Sequence, residues 1–143
     1  MDLRPIGFVR SKIKESVRRD WRKVVSEIVI DAKLTEALDG LEGFSHIILL
    51  YIFHQSHGYT LRVKPFLDDQ LRGLFATRYP RRPNPIGLSV VRLLARQETI
   101  LDIEGVDVLD GTPLLDIKPY VPDFDGSTET RTGWYETRNK RYE

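Results

Sequence analysis

The sequence has no cysteine among its 143 residues. That excludes disulfides, thiolate nucleophiles, zinc fingers and iron–sulfur clusters together, and it fits a reducing compartment. Long apolar runs are also missing. The longest, Ile47–Phe53, is far short of the ~20 residues that cross a bilayer. Met1–Arg10 alternates polar and apolar residues without the apolar core of a signal peptide. A cytoplasmic protein with no membrane span is expected. Neither sign of charge is in excess: 22 basic and 21 acidic residues leave +1. A basic coat over the whole surface is excluded, whereas a local basic patch is not. There is no internal repeat or low-complexity stretch. The patterns G-x-G-x-x-G, G-x-x-x-x-G-K-[ST] and G-x-S-x-G are absent, which argues against a Rossmann nucleotide site, a P-loop and a serine-hydrolase elbow.

What is present is the composition of one globular domain, with 41% hydrophobic and 30% charged residues. Strand-like segments dominate. Ile6–Val9, Val24–Ile30, Ser89–Ala95, Thr99–Glu104 and Leu114–Ile117 are short and rich in aliphatic and β-branched residues. Gly73–Thr77 is a briefer strand candidate. Arg96–Glu98 reads as the turn joining two of the strands. Ser45–Phe53 is too apolar for a half-exposed strand, so both faces are expected to be covered, one of them by a partner chain or by the fold itself. Helix is scarce. Asp31–Leu38 is the best case, with Leu34, Ala37 and Leu38 at helical spacing and Gly40 as a stop. Short strands with Gly/Pro turns predict an all-β barrel or sandwich. A wound α/β sheet would need crossover helices for which there is no room.

Two segments stand out chemically. Phe75–Ser89 contains Pro80, Pro83 and Pro85, which fix φ and remove three backbone donors. It predicts a stiff extended loop, ending at Gly87, that carries Arg78, Arg81 and Arg82 beside Asn84. A rigid loop bearing guanidinium forks suits carboxylate or phosphate, and a stiff surface turn with solvated arginines is the plainer alternative. In Asp110–Tyr120, Asp110-Gly111 signals a turn. An extended run beyond it puts Thr112, Leu114, Asp116 and Lys118 on one face, and Leu115 and Ile117 on the other. Asp116 beside Lys118 is either a held proton acceptor or an ordinary surface ion pair.

Other candidates are weaker. His54 and His57 are three apart after the apolar strand, but no third ligand is evident, and no metal is expected. His54 suits a polar position at a strand end. Arg18, Arg19, Arg22 and Lys23 surround Asp20 and Trp21. That cluster reads as phosphate contacts with a stacking aromatic or as a solvated face. The C-terminal stretch, with Trp134, Tyr135, Arg138, Lys140, Arg141 and Tyr142, has the same two readings.

Leu41–Ser56 (LEGFSHIILLYIFHQS), Phe75–Ser89 (FATRYPRRPNPIGLS) and Asp110–Tyr120 (DGTPLLDIKPY) resemble the TrmO family, also called YaeB or VirR-like, in sequence, order and spacing. The similarity runs from about Pro5 to Asp125. It implies a single small β-barrel with short helical segments, neither Rossmann-like nor knotted. Residues 1–125 would form the S-adenosylmethionine-binding methyltransferase domain, with 126–143 as a tail. It further implies a homodimer with composite sites near the interface, S-adenosylmethionine as cofactor, and transfer of a methyl group to N6 of threonylcarbamoyladenosine beside the anticodon of tRNA. On the matching positions His54, Gln55, Arg78 and Leu88 are expected to line the cofactor site, as is the turn of Val106, Asp107, Asp110, Gly111 and Thr112. Asp116 is nominated as base, Lys118 as its electrostatic partner and Tyr120 as an orienting hydroxyl. Another methyl acceptor on the same fold, or a non-catalytic RNA-binding module, are the competing readings. Two positions depart from the family pattern. Tyr79 stands where serine is common, and Ser16-Val17-Arg18-Arg19-Asp20 stands where a Pro-Arg-Gln stretch is common.

Overall fold

In the computed structural model, residues 1–13, 20–66 and 68–137 are described. Six strands close into an antiparallel barrel in the order β1-β2-β7-β6-β3-β8. They are β1 (Gly7–Arg10), β2 (Val25–Ile30), β3 (His46–Ile52), β6 (Ile86–Gln97), β7 (Ile100–Glu104) and β8 (Pro113–Pro119). A separate two-stranded ribbon pairs β4 (Arg62–Val63) with β5 (Arg72–Gly73). Of the barrel and the sandwich left open by the strand pattern, the chain adopts the barrel, which the family resemblance implied.

Alternation along the strands explains the closure. In β3, Ile47, Leu49 and Tyr51 point inward and are buried. They meet Val9, Ile28, Ile30, Val91, Leu101, Ile103 and Leu114 in one core. Fully burying an aliphatic side chain is worth about 1.5–3 kcal/mol, so this inner stripe fixes the register of every strand. Ile48, Leu50 and Ile52 point outward and pair with Val90, Leu88 and Ile86 of β6. The extra apolar character of Ser45–Phe53 therefore lies on the outer wall, where Ile86, Leu88 and Val90 are exposed.

Several local expectations change. Asp31–Leu38 is a 3-10 helix, Ala32–Leu38, with the Asp31 carboxylate accepting from the Lys33 N–H at 3.1 Å. The strand expected at Gly73–Thr77 is instead the end of β5 followed by a 3-10 turn, Leu74–Ala76, closed by Thr77 Oγ1 donating to Leu74 O. The largest difference is in β8. Leu50 pairs with Asp116 but Tyr51 pairs with Leu114, so Leu115 is the extra residue of a β-bulge. The bulge turns Leu114 into the core and Asp116 out, so those two do not share a face as strict alternation would have it. Asp116 and Lys118 do share one, and Ile117 packs against the core.

Gly87 sits at the inner face where β6 leaves the proline loop. A Cβ there would fall on the ring of Tyr51 and within 2.9 Å of Phe53. Since both rings are packed, Gly87→Ala is expected to cost about 1–3 kcal/mol through overpacking. Chemical denaturation checks this, with an unchanged midpoint as the contrary result.

Candidate active site

Antiparallel pairing brings five chain segments to one rim of the barrel: 11–13, 21–24, 53–56, 77–86 and 105–112. Three adjoining recesses open there. The first, of about 350 Å³, is lined by Ile13, His54, Gln55, Arg81, Asp107 and Thr112, among others. The second, of about 450 Å³, is lined by Trp21, Tyr51, Arg78, Leu88, Val106 and Asp107, among others. The third, of about 410 Å³, lies between them and shares Tyr51, Phe53, Arg78 and Leu88 as walls. Such volumes suit a small-molecule or cofactor site.

Of the residues nominated from sequence, His54, Gln55, Arg78, Leu88, Val106, Asp107 and Thr112 all line these recesses. Arg78 is exposed. Thr112 is buried, and its hydroxyl donates to Leu109 O at 2.6 Å. Asp110 and Gly111 build the turn behind the wall rather than the wall itself. The Asp110 carboxylate accepts from the Ser11 N–H at 2.9 Å. Gly111 has φ +84°, and its N–H donates to Val9 O. A side chain at position 111 would strain that backbone.

Asp116, Lys118 and Tyr120 lie outside the recesses, stepping along the outer face of β8 toward the opposite rim. Asp116 Oδ2 is 2.9 Å from Lys118 Nζ, with the side chains 45% and 59% exposed. At that exposure the pair adds only about 0–1 kcal/mol to stability. Asp116 Oδ1 accepts from the Ile117 N–H. The Tyr120 N–H donates to His46 O, and its ring meets the His46 ring edge-on at 6.5 Å.

The three arginines of the proline loop divide their work. Arg82 donates to the carbonyls of Thr77 and Tyr79 at 2.8 and 3.0 Å and covers the Phe75 ring. Both bonds use Nη1, and they staple the loop shut. Arg78 and Arg81 have no ion pair among the described residues. Trp134 Nε1 donates to Ala76 O at 2.7 Å and ties the C-terminal segment to the same loop. Trp21 is half-exposed beside Arg78 and Leu88. Arg18 and Arg19 of the basic cluster, and Arg138, Lys140, Arg141 and Tyr142, lie outside the described residues. No group of three His, Asp or Glu among the described residues is placed to hold a metal. No helix among them is long and apolar enough to cross a membrane.

Sequence reading missed Tyr51 and Ser89. They sit on strands that look purely structural, yet the Tyr51 hydroxyl is 2.8 Å from Ser89 Oγ at the floor of the second recess. Alternation could have found Ser89 as an inward polar residue.

A family model described as the tRNA-methyltransferase O N-terminal domain matches residues 16–126. The chain belongs to the TrmO N-terminal-domain family. A relative from Pyrococcus abyssi, named a probable S-adenosyl-L-methionine-binding protein, is 48% identical over 141 residues, covering 93% of this chain and 75% of its own length. The mouse protein named tRNA (adenine(37)-N6)-methyltransferase is 44% identical over 92 residues, covering 62% of this chain but 21% of the mouse protein. The crystal structure of TrmO from Pseudomonas aeruginosa superposes with a TM-score of 0.78 at 38% identity, over 94% of this chain and 62% of that one. The TrmO barrel is therefore shared, while the bacterial and mouse proteins extend well beyond the part matched here.

Burial raises the Tyr51 phenol pKa above its ordinary value, while the Ser89 hydrogen bond and the Arg78 charge pull it down. The raised value holds the phenol neutral in the folded state. Its contribution to stability is complete below about pH 10 and lost as pH rises through the folded pKa. Unfolding measured from pH 8 to 11 should show a high-pH loss that Tyr51→Phe diminishes. An identical profile in the variant would contradict it.

Proposed function

We propose that this chain is an S-adenosylmethionine-dependent tRNA methyltransferase acting on N6 of threonylcarbamoyladenosine next to the anticodon. The observation that carries the reading is the convergence of Arg78, Leu88 and Asp107 on adjoining recesses at one rim of a TrmO barrel. The residues fit the cofactor chemically. The exposed Arg78 guanidinium suits a carboxylate. Asp107 suits ribose hydroxyls. Trp21, Leu88 and Val106 offer apolar surface for an adenine. Bound S-adenosylmethionine supplies an electrophilic methyl sulfonium, a chemistry that requires neither thiol nor metal.

The acceptor nitrogen is the difficult partner. Its lone pair is shared with the carbamoyl carbonyl and the purine, so its proton must leave during or before attack. Asp116 is assigned as the base, its carboxylate fixed by Lys118, with Tyr120 as the next hydroxyl along the same face. Leu50 pairs with Leu88 on one side and Asp116 on the other. At one strand spacing of about 5 Å each, the Asp116 and Leu88 backbones are about 10 Å apart. The acceptor would then approach over the outer wall beside Leu50, one strand away from the cofactor recess.

That approach makes sense if a second copy completes the site. The outer pairs Ile48–Val90, Leu50–Leu88 and Ile52–Ile86 form an apolar wall that runs up to the recess through Leu88. A homodimer packed on this wall is part of the proposal. Sedimentation should give a dimer for the wild type and a monomer for Val90→Arg, and a wild-type monomer would reject it.

Mass spectrometry of tRNA nucleosides after incubation with the cofactor tests the activity. Threonylcarbamoyladenosine should gain one methyl group. Asp116→Asn should slow this about 10²–10⁴-fold with unchanged cofactor affinity by calorimetry. Undiminished methylation in the variant removes Asp116 as base. Cofactor binding without methylation of this nucleoside favours a different acceptor, and no cofactor binding leaves only an RNA-binding module.

A further inference from the structure

Beside the rim lies a fourth cleft, of about 580 Å³, between the β4–β5 ribbon and the proline loop. Its described lining includes His57, Arg62, Lys64 and Arg81 together with Tyr59 and Tyr79, and no acidic residue. Tyr59 is 51% exposed and Tyr79 41% exposed. Arg62, Lys64 and Arg81 have no ion pair among the described residues, so their charge is not internally neutralised. The ribbon packs against the body of the chain at its base. Val63 and Leu74 are buried, and Leu74 N–H donates to Leu61 O at 2.9 Å. The nearby acid Asp68 is held by Arg72 at 2.6 Å, a contact that pulls its carboxyl down to about 2. Its charge is thus matched within the ribbon. Arg81 also lines the recess that contains His54 and Gln55, so one side chain forms a wall of both spaces.

The geometry points to this cleft as a docking site for single-stranded RNA, taking the nucleotides that flank the one delivered to the rim. The inference rests on the reading of the chain as a tRNA-modifying enzyme and assigns where its RNA lies. Two phenol rings standing free of hydrogen bonds among the described residues offer faces for stacked bases. Three unpaired cations beside them match a phosphate backbone. An acidic peptide would use the cations but leave both rings exposed. Tyr79 then has a function of its own: the bulky ring is a base platform, supplied by the loop that also carries Arg78.

Fluorescence anisotropy with a labelled single-stranded RNA pentamer, and separately with an anticodon stem–loop, tests the site. Tyr79→Ala should weaken pentamer binding about 5- to 100-fold without altering the salt slope. Tyr79→Phe should bind as the wild type does, since the ring face remains. Arg62→Ala combined with Lys64→Ala should weaken binding and make the slope of log affinity against log salt shallower by about 1.4, at ~0.7 for each single-strand phosphate. Thermal melts establish that each variant is folded, and cofactor affinity should be unchanged in all of them. Wild-type affinity and slope in these variants would overturn the assignment. So would polyglutamate binding as tightly as the RNA and indifferent to Tyr79→Ala. The pentamer needs neither cofactor nor turnover. Pentamer binding that fails these variants therefore refutes the cleft alone, whereas a wild type that binds through the cleft but methylates no tRNA refutes only the enzymatic reading.

Discussion

Tyr51 rests on Gly87, and the rim depends on that contact. The ring occupies the space a side chain at position 87 would take, and its hydroxyl reaches Ser89 Oγ two residues further along the same strand. β3 and β6 are thereby locked in register where the proline loop ends. Pro80, Pro83 and Pro85 restrict the loop, and Arg82 closes it onto its own carbonyls. Arg78 and Arg81 are left on a stiff support, facing recesses on either side of the same loop. A ligand held by such a loop would cost it little conformational entropy.

An all-β barrel or sandwich was legible because short runs of aliphatic and β-branched residues recur between Gly/Pro turns, and the choice of barrel came from the family motifs. Seven of the nine residues nominated through the motifs for a cofactor line the rim. Local propensity failed where tertiary contacts intervene. A single bulge at Leu115 reverses the face of everything beyond it, and nothing in the residue types of Leu114–Ile117 announces it. That is why Asp116 shares its outer face with Lys118 and not with Leu114. The Asp110-Gly111 turn was readable as a turn, but its carboxylate serves the Ser11 backbone, a partner 99 positions away that spacing cannot reveal. Leu74–Ala76 winds into a 3-10 turn because Thr77 supplies a hydroxyl to Leu74 O.

Charge is distributed with similar economy. The net of +1 comes from near-equal numbers of bases and acids, and several acids meet a base at short range: Glu27 meets Arg10, Glu42 meets Arg96, and Asp68 meets Arg72. Arg62 and Lys64 of the ribbon and Arg81 of the proline loop have no ion pair among the described residues, and they line one cleft. Total charge is thus a poor guide to the surface field, which follows from where the pairs are missing.

Closure of the six strands has a last consequence, for the way such a molecule can meet its own kind. In a closed barrel each strand is hydrogen-bonded on both sides, so the wall offers no row of free N–H and C=O groups on which further strands can be templated. The apolar outer wall of β3 and β6 can then be large without inviting indefinite growth. Contact through it is side chain to side chain, and a patch that pairs with itself across a two-fold axis is consumed when two copies meet.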